Sequence, residues 1–133
     1  ARRLTSALRE TDLVARWGGE EFAVLLTGLA DGTHAEALTV LDRARVAVGG
    51  RPLALGPGLP CPIVTISGGV AVLPADGSDG ATLVHKADAA LYAAKRAGRN
   101  QVQHADGSLR AAVSELPLVQ VVAGRPSDLP PPG

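Results

Sequence analysis

The chain has 133 residues, which is the size of one compact domain and too short for two. Its 13 Lys and Arg residues balance its 13 Asp and Glu residues, and this zero formal charge argues against general electrostatic binding to nucleic acid or to an anionic membrane surface. Hydrophobic residues make up 46% of the chain, enough for a core, but no apolar run approaches the ~20 residues that span a bilayer. The single cysteine, Cys61, excludes an internal disulfide and a zinc site built from several cysteines.

The first predicted elements are the end of a helix and a β-hairpin. Residues 1–10 have the apolar spacing of one helical face. Two apolar runs, Leu13–Trp17 and Glu20–Leu26, are separated by Gly18 and Gly19. Such a pair favours a hairpin, because the tight turn requires positive φ.

A second helix and a loop follow the hairpin. Thr33, with Glu36 three residues later, has the pattern of a capping box and predicts a helix that ends at the Gly49-Gly50 pair. The next segment contains four prolines and is predicted to be a surface loop, with a short edge strand at Leu53–Leu55.

The third group of elements is a strand, a helix and a short final strand. The β-rich run Ile63–Leu73 is interrupted by Gly68-Gly69, which indicates a bulge or a close approach of another backbone. Ala81–Ala97 predicts a helix with Gly98 as its C-cap, and Gln101–Gln103 predicts a last strand.

The end of the chain has a different composition. Five of the ten prolines lie between Pro117 and Pro132, so residues 104–133 are predicted to be a largely disordered tail, within which Leu116–Val122 associates only transiently.

The order of the predicted elements indicates the fold class. Strand pairs separated by helices indicate an α/β class, an α+β sandwich with one central sheet flanked by helices. The alternation starts on a helix end, which suggests that a first strand and helix are absent.

The Gly-Gly turn is also the strongest candidate for chemistry. Gly18 and Gly19 would let a bulky anion approach the backbone without a Cβ clash. The carboxylates of Glu20 and Glu21 could hold a hard divalent cation such as Mg²⁺ through oxygen. On these residues alone, an ordinary turn with two solvated carboxylates is the favoured interpretation.

Two further pairs of charged residues have a spacing that would let their side chains contact one ligand. Lys95 and Arg99 lie four residues apart at a helix end and suit a phosphate chain, although cations that complement the helix dipole are the commoner explanation. Arg9 and Asp12, three apart before the hairpin, are either a surface ion pair or a clamp for phosphate and guanine.

Three stretches together resemble the GGDEF domain of diguanylate cyclases: RETDLVARWGGEEFAVLL, VTISGGVAVLPADG and ADAALYAAKRAGRNQV. The resemblance covers residues 1–103, which are predicted to be a partial GGDEF domain, and leaves out the tail, residues 104–133. It implies a fold related to nucleotide-cyclase and polymerase palm domains.

The resemblance also implies a reaction, in which two GTP molecules condense to cyclic di-GMP with loss of two pyrophosphates. Each domain of a homodimer holds one GTP. Glu20 and Glu21 match the catalytic positions that ligate Mg²⁺ or Mn²⁺, and Gly18 and Gly19 match the backbone that meets the phosphates. The implied location is the cytoplasm, in a soluble protein or in the cytoplasmic part of a membrane-bound one, with no membrane contact by this segment.

The remaining implied roles concern anions. Lys95 and Arg99 match the positions that neutralise the triphosphate, and Arg9 and Asp12 match an inhibitory site that binds the product cyclic di-GMP.

The family's first strand, which is central in the sheet, carries a metal-binding Asp, and the next segment carries the Asn and Asp that read guanine. Residue 1 of this chain falls after all of these positions. We therefore expect this chain alone to lack activity and to expose an open central edge. The alternatives are a non-catalytic module that binds cyclic di-GMP and an inactive remnant.

Overall fold

One five-stranded sheet with helices on both faces organises the residues that the computed structural model describes, which are 1–30, 32–105 and 119–123. The elements follow one another as α1 (Arg2–Ser6), β1 (Leu13–Gly18), β2 (Glu21–Leu26), α2 (His34–Gly49), β3 (Gly68–Val72), α3 (Gly80–Arg96), β4 (Val102–His104) and β5 (Val119–Ala123). The strand order is β1-β2-β5-β3-β4; β1 and β2 are antiparallel, and the other neighbours are parallel. This architecture confirms the predicted α/β class.

Strand β3 separates two parts of the hydrophobic core. Successive side chains of a strand point to opposite faces of a sheet. Val70 and Val72 pack in one cluster with Leu41 of α2, whereas Ala71 packs in another with Leu83 of α3. Helices α2 and α3 therefore cover opposite faces of the sheet.

The glycine pair of β3 marks two close approaches to these helices. A Cβ added to Gly69 would lie 2.0 Å from the carbonyl oxygen of Ala87 and 2.4 Å from the amide nitrogen of Leu91, both backbone atoms of α3. At Gly68 it would lie 2.6 Å from Leu41 Cδ2, the flexible end of a side chain on α2. The predicted close backbone approach is therefore confirmed, and it allows α3 to sit directly on the strand.

Helix α2 starts directly after the predicted cap Thr33, α3 starts at Gly80, one residue before the predicted Ala81, and both helices carry side-chain caps. Thr33 Oγ1 accepts a hydrogen bond from the amide of Glu36 at 3.2 Å, and Glu36 Oε1 accepts one from the amide of Ala30 at 2.9 Å. Asp79 Oδ1 accepts from the amide of Thr82 at 2.8 Å. Within the described residues, none of the helices has the length and apolar character needed to cross a membrane.

Two strand predictions before Gly68 are wrong. Leu53–Leu55 forms no strand and makes a single backbone bond, from the Leu53 amide to the Pro62 carbonyl oxygen at 2.7 Å. The strand expected from Ile63 begins only at Gly68, and the Ile63 side chain is exposed. Pro52 and Pro57 flank Leu53–Leu55 and lack the amide hydrogen that a ladder needs, which limits the pairing of that segment.

The expected open edge at the centre of the sheet is not found. Val119–Ala123 lies there as β5, paired along all five residues with β2 on one side and with β3 on the other. Its sequence, VQVVA, is uncharged and rich in β-branched residues, which favour an interior strand. Residues 106–118 and 124–133, the rest of the tail predicted to be disordered, lie outside the described residues.

Candidate functional site

The turn between β1 and β2 presents an open backbone. Gly19 has φ of +50°, a conformation that glycine adopts without strain. Arg16 braces the turn, because its Nε and Nη2 atoms donate to the Gly19 carbonyl oxygen at 2.9 and 2.8 Å. Apart from adjacent residues, nothing lies within 4 Å of a Cβ placed on Gly18 or Gly19. A bulky ligand can therefore reach this backbone. Sequence reasoning did not single out Arg16.

The two carboxylates of the turn differ in environment. Glu20 is exposed, whereas Glu21 is half-buried as the first residue of β2. The next residue, Phe22, packs with the core cluster that contains α2, so alternation puts Glu21 on the face covered by α3. Both carboxylates interact electrostatically with Lys95, which lies in the last turn of α3. The fold thus brings the turn and the end of α3 together.

Lys95 occupies an unusual position for a lysine. Its side chain is partly buried, but its Nζ atom is covered and has no hydrogen-bond partner among the described residues. Burial lowers the pKa of Lys95 and the nearby positive charge of Arg99 lowers it further, while Glu21, Asp88 and Glu20 offset part of this shift. An ammonium group without a partner would gain from an added anion.

Arg99 lies in a turn with three successive positive φ angles, +118° at Gly98, +62° at Arg99 and +47° at Asn100. Asn100 anchors this turn to two other parts of the fold. Its amide donates to Ser67 Oγ at 3.1 Å, and its Oδ1 accepts from Arg45 Nη1 at 2.9 Å. The strained backbone is therefore held in place, and the Arg99 side chain remains exposed near Lys95.

The β1–β2 turn and the C-terminal end of α3 together combine groups of opposite charge. Carboxylate oxygens suit a hard divalent cation, and a lysine beside an arginine suits a phosphate chain. Among the described residues, however, no group of three or more His, Cys, Asp or Glu side chains is placed to hold a metal ion. Glu20 and Glu21 therefore fit a divalent cation by donor type, but they are too few to hold it without oxygens from a ligand or from further residues.

Asp88 joins this charge cluster and was missed at the sequence level. It lies on α3, seven residues before Lys95, so the two residues share one face of the helix. Its carboxylate raises the pKa of Lys95, in the same direction as the two carboxylates of the turn. The i, i+7 spacing of opposite charges was the available sequence signal.

The other predicted pair, Arg9 and Asp12, is an anchored structure and not a surface ion pair. The Asp12 side chain has no exposed surface, and its carboxylate accepts from the amides of Arg9 at 3.0 Å and Thr27 at 3.3 Å. Arg9 Nη2 donates to Asp12 Oδ1 at 3.3 Å and to the Thr27 carbonyl oxygen at 2.8 Å. The guanidinium is 42% exposed, so only Arg9 of this pair presents surface to a ligand.

Replacing Asp12 should therefore cost stability. We expect Asp12→Ala to lower the free energy of unfolding by about 2–3 kcal/mol, because it leaves the amides of Arg9 and Thr27 without their buried acceptor. Asp42→Ala is the matched control: Asp42 also pairs with an arginine three residues later, Arg45, but its side chain is 54% exposed and its loss should cost about 0–1 kcal/mol. Urea denaturation measures both, and equal losses would contradict a buried anchoring role for Asp12.

Lys95→Met should have the opposite effect on stability. The lowered pKa means that the folded state disfavours the ammonium form, so a neutral side chain of similar length should raise the free energy of unfolding near neutral pH. The gain should shrink as the pH rises towards the ordinary pKa of lysine, where Lys95 loses its charge in both states. Thermal unfolding across this pH range, with Lys86→Met as control, tests the expectation, and a large destabilisation at neutral pH would contradict it.

A second polar cluster ties α2 to the far end of β3. His34 Nε2 lies 2.6 Å from Asp76 Oδ2, and this carboxylate also accepts from the Val72 amide at 2.7 Å. The His34 and His104 rings are 4.8 Å apart. The three residues are widely spaced in the chain, so no sequence pattern indicated the cluster. We interpret it as a structural contact that holds α2 against the end of β3.

Comparisons with known proteins identify the family of this chain. The family model described as "Diguanylate cyclase, GGDEF domain" matches residues 1–101. The response regulator PleD of Caulobacter vibrioides is 40% identical over 102 residues, which are 77% of this chain and 22% of PleD. The diguanylate cyclase TpbB of Pseudomonas aeruginosa is 43% identical over 99 residues, 74% of this chain and 22% of TpbB.

The solved structures give the same result for the fold. The crystal structure of the GGDEF domain of TpbB, also called YfiN, from Pseudomonas aeruginosa superposes with a TM-score of 0.68 at 40% identity, covering 80% of this chain and 63% of that one. This chain spans about a fifth of the length of the curated relatives that it matches. Because the family model matches more than half of it, the chain belongs to the GGDEF domain family of diguanylate cyclases.

Proposed function

We propose that this chain carries the phosphate- and metal-binding part of a diguanylate cyclase site, in which two GTP molecules condense to cyclic di-GMP with release of pyrophosphate. The observation that supports it most is the covered Lys95 Nζ without a hydrogen-bond partner, electrostatically coupled both to Arg99 and to the carboxylates of the Gly-Gly turn. A polyanion with a bound cation would pair with both kinds of charge, because the anion would contact Lys95 and Arg99 while the cation would contact Glu20 and Glu21.

Each residue then has a distinct task. Lys95 and Arg99 neutralise the triphosphate, the lysine as a point charge and the arginine by forked donation. The open backbone at Gly19 lets the phosphates approach, and Glu20 and Glu21 hold Mg²⁺ or Mn²⁺. When bound, such a cation supplies Lewis-acid stabilisation of the charge that develops on the transferring phosphoryl group.

Three further proposals concern assembly, location and inhibition. Joining two GTP molecules requires two sites, so the active form is a homodimer in which each domain holds one GTP. We place this reaction in the cytoplasm, where its substrate is available. Arg9 binds the product cyclic di-GMP as an inhibitor through its exposed guanidinium, and buried Asp12 acts by holding Arg9 in position.

The alternative of a non-catalytic module that binds cyclic di-GMP has less support. Such a module would bind through the exposed Arg9 side chain held by the buried carboxylate of Asp12, as product inhibition also would, so the geometry of this pair is common to both functions. The Gly-Gly turn, in contrast, keeps both acidic residues. An inactive remnant remains the alternative for the chain when it is assayed alone.

The test compares this chain with a hybrid GGDEF domain. In the hybrid, the N-terminal part of the TpbB GGDEF domain is joined to residue 1. Two forms are made, with and without residues 106–133, because β5 occupies the centre of the sheet. With GTP and Mg²⁺, chromatography should detect cyclic di-GMP from a hybrid and none from the chain alone. Product from the chain alone, or none from two folded hybrids, would contradict the proposal.

A further inference from the structure

The turn that follows α3 is held by residues from two other parts of the fold. It connects α3 to β4, the edge strand of the sheet. Asn100 Oδ1 accepts from Arg45 Nη1 of α2 at 2.9 Å, and the Asn100 amide donates to Ser67 Oγ, just before β3, at 3.1 Å. Because α2 and α3 cover opposite faces of the sheet, Arg45 links the helix on one face to the end of the helix on the other.

Arg99 has an unfavourable backbone conformation that needs such support. Its φ of +62° lies in the left-handed region, which asparagine adopts several times more often than most other residues. The Arg99 amide donates to the Ala94 carbonyl oxygen at 3.1 Å, a bond that ends the helix on one side of Arg99. On the other side, Asn100 is fixed through both its amide and its side chain, which opposes relaxation of the strained arginine.

Electrostatic repulsion also acts against the observed place of Arg99. Arg99 lies close enough to Lys95 for its charge to lower the pKa of that lysine. Two cations repel each other, so an unrestrained arginine side chain would favour separation from Lys95. Arg45 does not bring a third unpaired charge, because Asp42 Oδ1 lies 2.6 Å from its Nε atom. Holding Arg99 beside Lys95 therefore depends on the constraint that the turn supplies.

We propose that Arg45 and Asn100 are positioning residues for the phosphate-binding side chain of Arg99. They hold its guanidinium beside Lys95, so that both cations can contact one phosphate chain without first rearranging. Such preorganisation raises affinity, because a larger fraction of the protein is in the conformation that binds. This role rests on the proposed function, in which Lys95 and Arg99 neutralise the triphosphate.

Titration of the full chain with inorganic tripolyphosphate, followed by the NMR amide signal of Lys95, tests the inference. Arg99→Met should raise the Kd about tenfold, because a charge-assisted contact is lost. Arg45→Met should raise the Kd about fivefold by lowering the fraction of the protein that is ready to bind. Asn100→Gly keeps the freedom for positive φ but removes the Oδ1 acceptor, and should match Arg45→Met. Arg51→Met removes an exposed arginine beside α1 and should leave the Kd unchanged.

The Arg99→Met background separates positioning from a general effect on the fold. A residue that acts through Arg99 loses its influence once Arg99 is replaced, so adding Arg45→Met should then change the Kd less than about twofold. A fivefold effect that persists in this background, or an unchanged Kd for Arg45→Met alone, would overturn the inference and leave the proposed function standing. If the unmodified chain does not bind tripolyphosphate, or Arg99→Met binds it equally tightly, the proposed function fails and the inference fails with it.

Discussion

Gly69→Ala is expected to lower the free energy of unfolding by about 3 kcal/mol or more. The added methyl would lie 2.0 Å from the Ala87 carbonyl oxygen and 2.4 Å from the Leu91 amide nitrogen, and neither backbone atom can move without shifting α3. Because Lys95 lies at the end of this helix, the same shift would displace the charge cluster.

The neighbouring glycine is the control for this effect. Gly68→Ala meets the end of the Leu41 side chain, which can change rotamer, so a loss of about 1 kcal/mol is expected. Chemical denaturation gives both values. If the two alanine variants were equally stable, the direct contact between α3 and β3 would be refuted.

Glu21→Ala should abolish synthesis of cyclic di-GMP in an active hybrid domain, with a fall on the order of 100-fold or more. Glu21 is one of two carboxylates at the turn, and no described third carboxylate is placed to replace it as a metal ligand. The fold should be retained, because this residue begins its strand at the edge of the turn. Glu20→Ala should have the same effect.

Glu10→Ala is the matched control for the loss of a carboxylate. Glu10 is exposed and precedes β1, so it lies at the opposite end of the hairpin from the turn. Product formation by this variant should equal that of the parent hybrid. If Glu21→Ala kept an activity within a few-fold of the parent, the proposal that the turn binds the metal ion would be contradicted.

Local sequence patterns predicted the elements whose stability is local. Helix α3 was predictable because helical periodicity depends on near neighbours, and it buries Leu83, Ala87 and Leu91; its side-chain cap, Asp79, was not predicted. The β1–β2 hairpin was predictable for the same reason, but its turn lies one residue later than the glycine pair indicated, at Gly19-Glu20.

Elements that depend on distant partners were not predictable in this way. Val119–Ala123 is rich in β-branched residues, but it was predicted to associate only transiently, because it lies among prolines; its pairing with β2 and β3 makes it a strand. Leu53–Leu55 contains no β-branched residue and stays irregular. Tertiary pairing therefore decided the strand at Val119–Ala123.

The candidate site shows the same division. Spacing alone favoured an ordinary turn at Glu20 and Glu21 and ordinary helix-end cations at Lys95 and Arg99. The family resemblance joined these residues, and the fold brings them into one electrostatic cluster. The covered Nζ of Lys95 could not be predicted, because it depends on how α3 packs on the sheet.

The most direct test of the account is whether the turn and the end of α3 bind one ligand together. GTP and Mg²⁺ would be titrated into an isotopically labelled hybrid domain, following the amide signals of Gly19, Glu21, Lys95 and Arg99 by NMR. The account predicts that all four shift along a single saturation curve, and that Lys95→Met weakens the binding reported by the signals of the turn. Separate curves for the two segments, or turn signals unaffected by Lys95→Met, would contradict it.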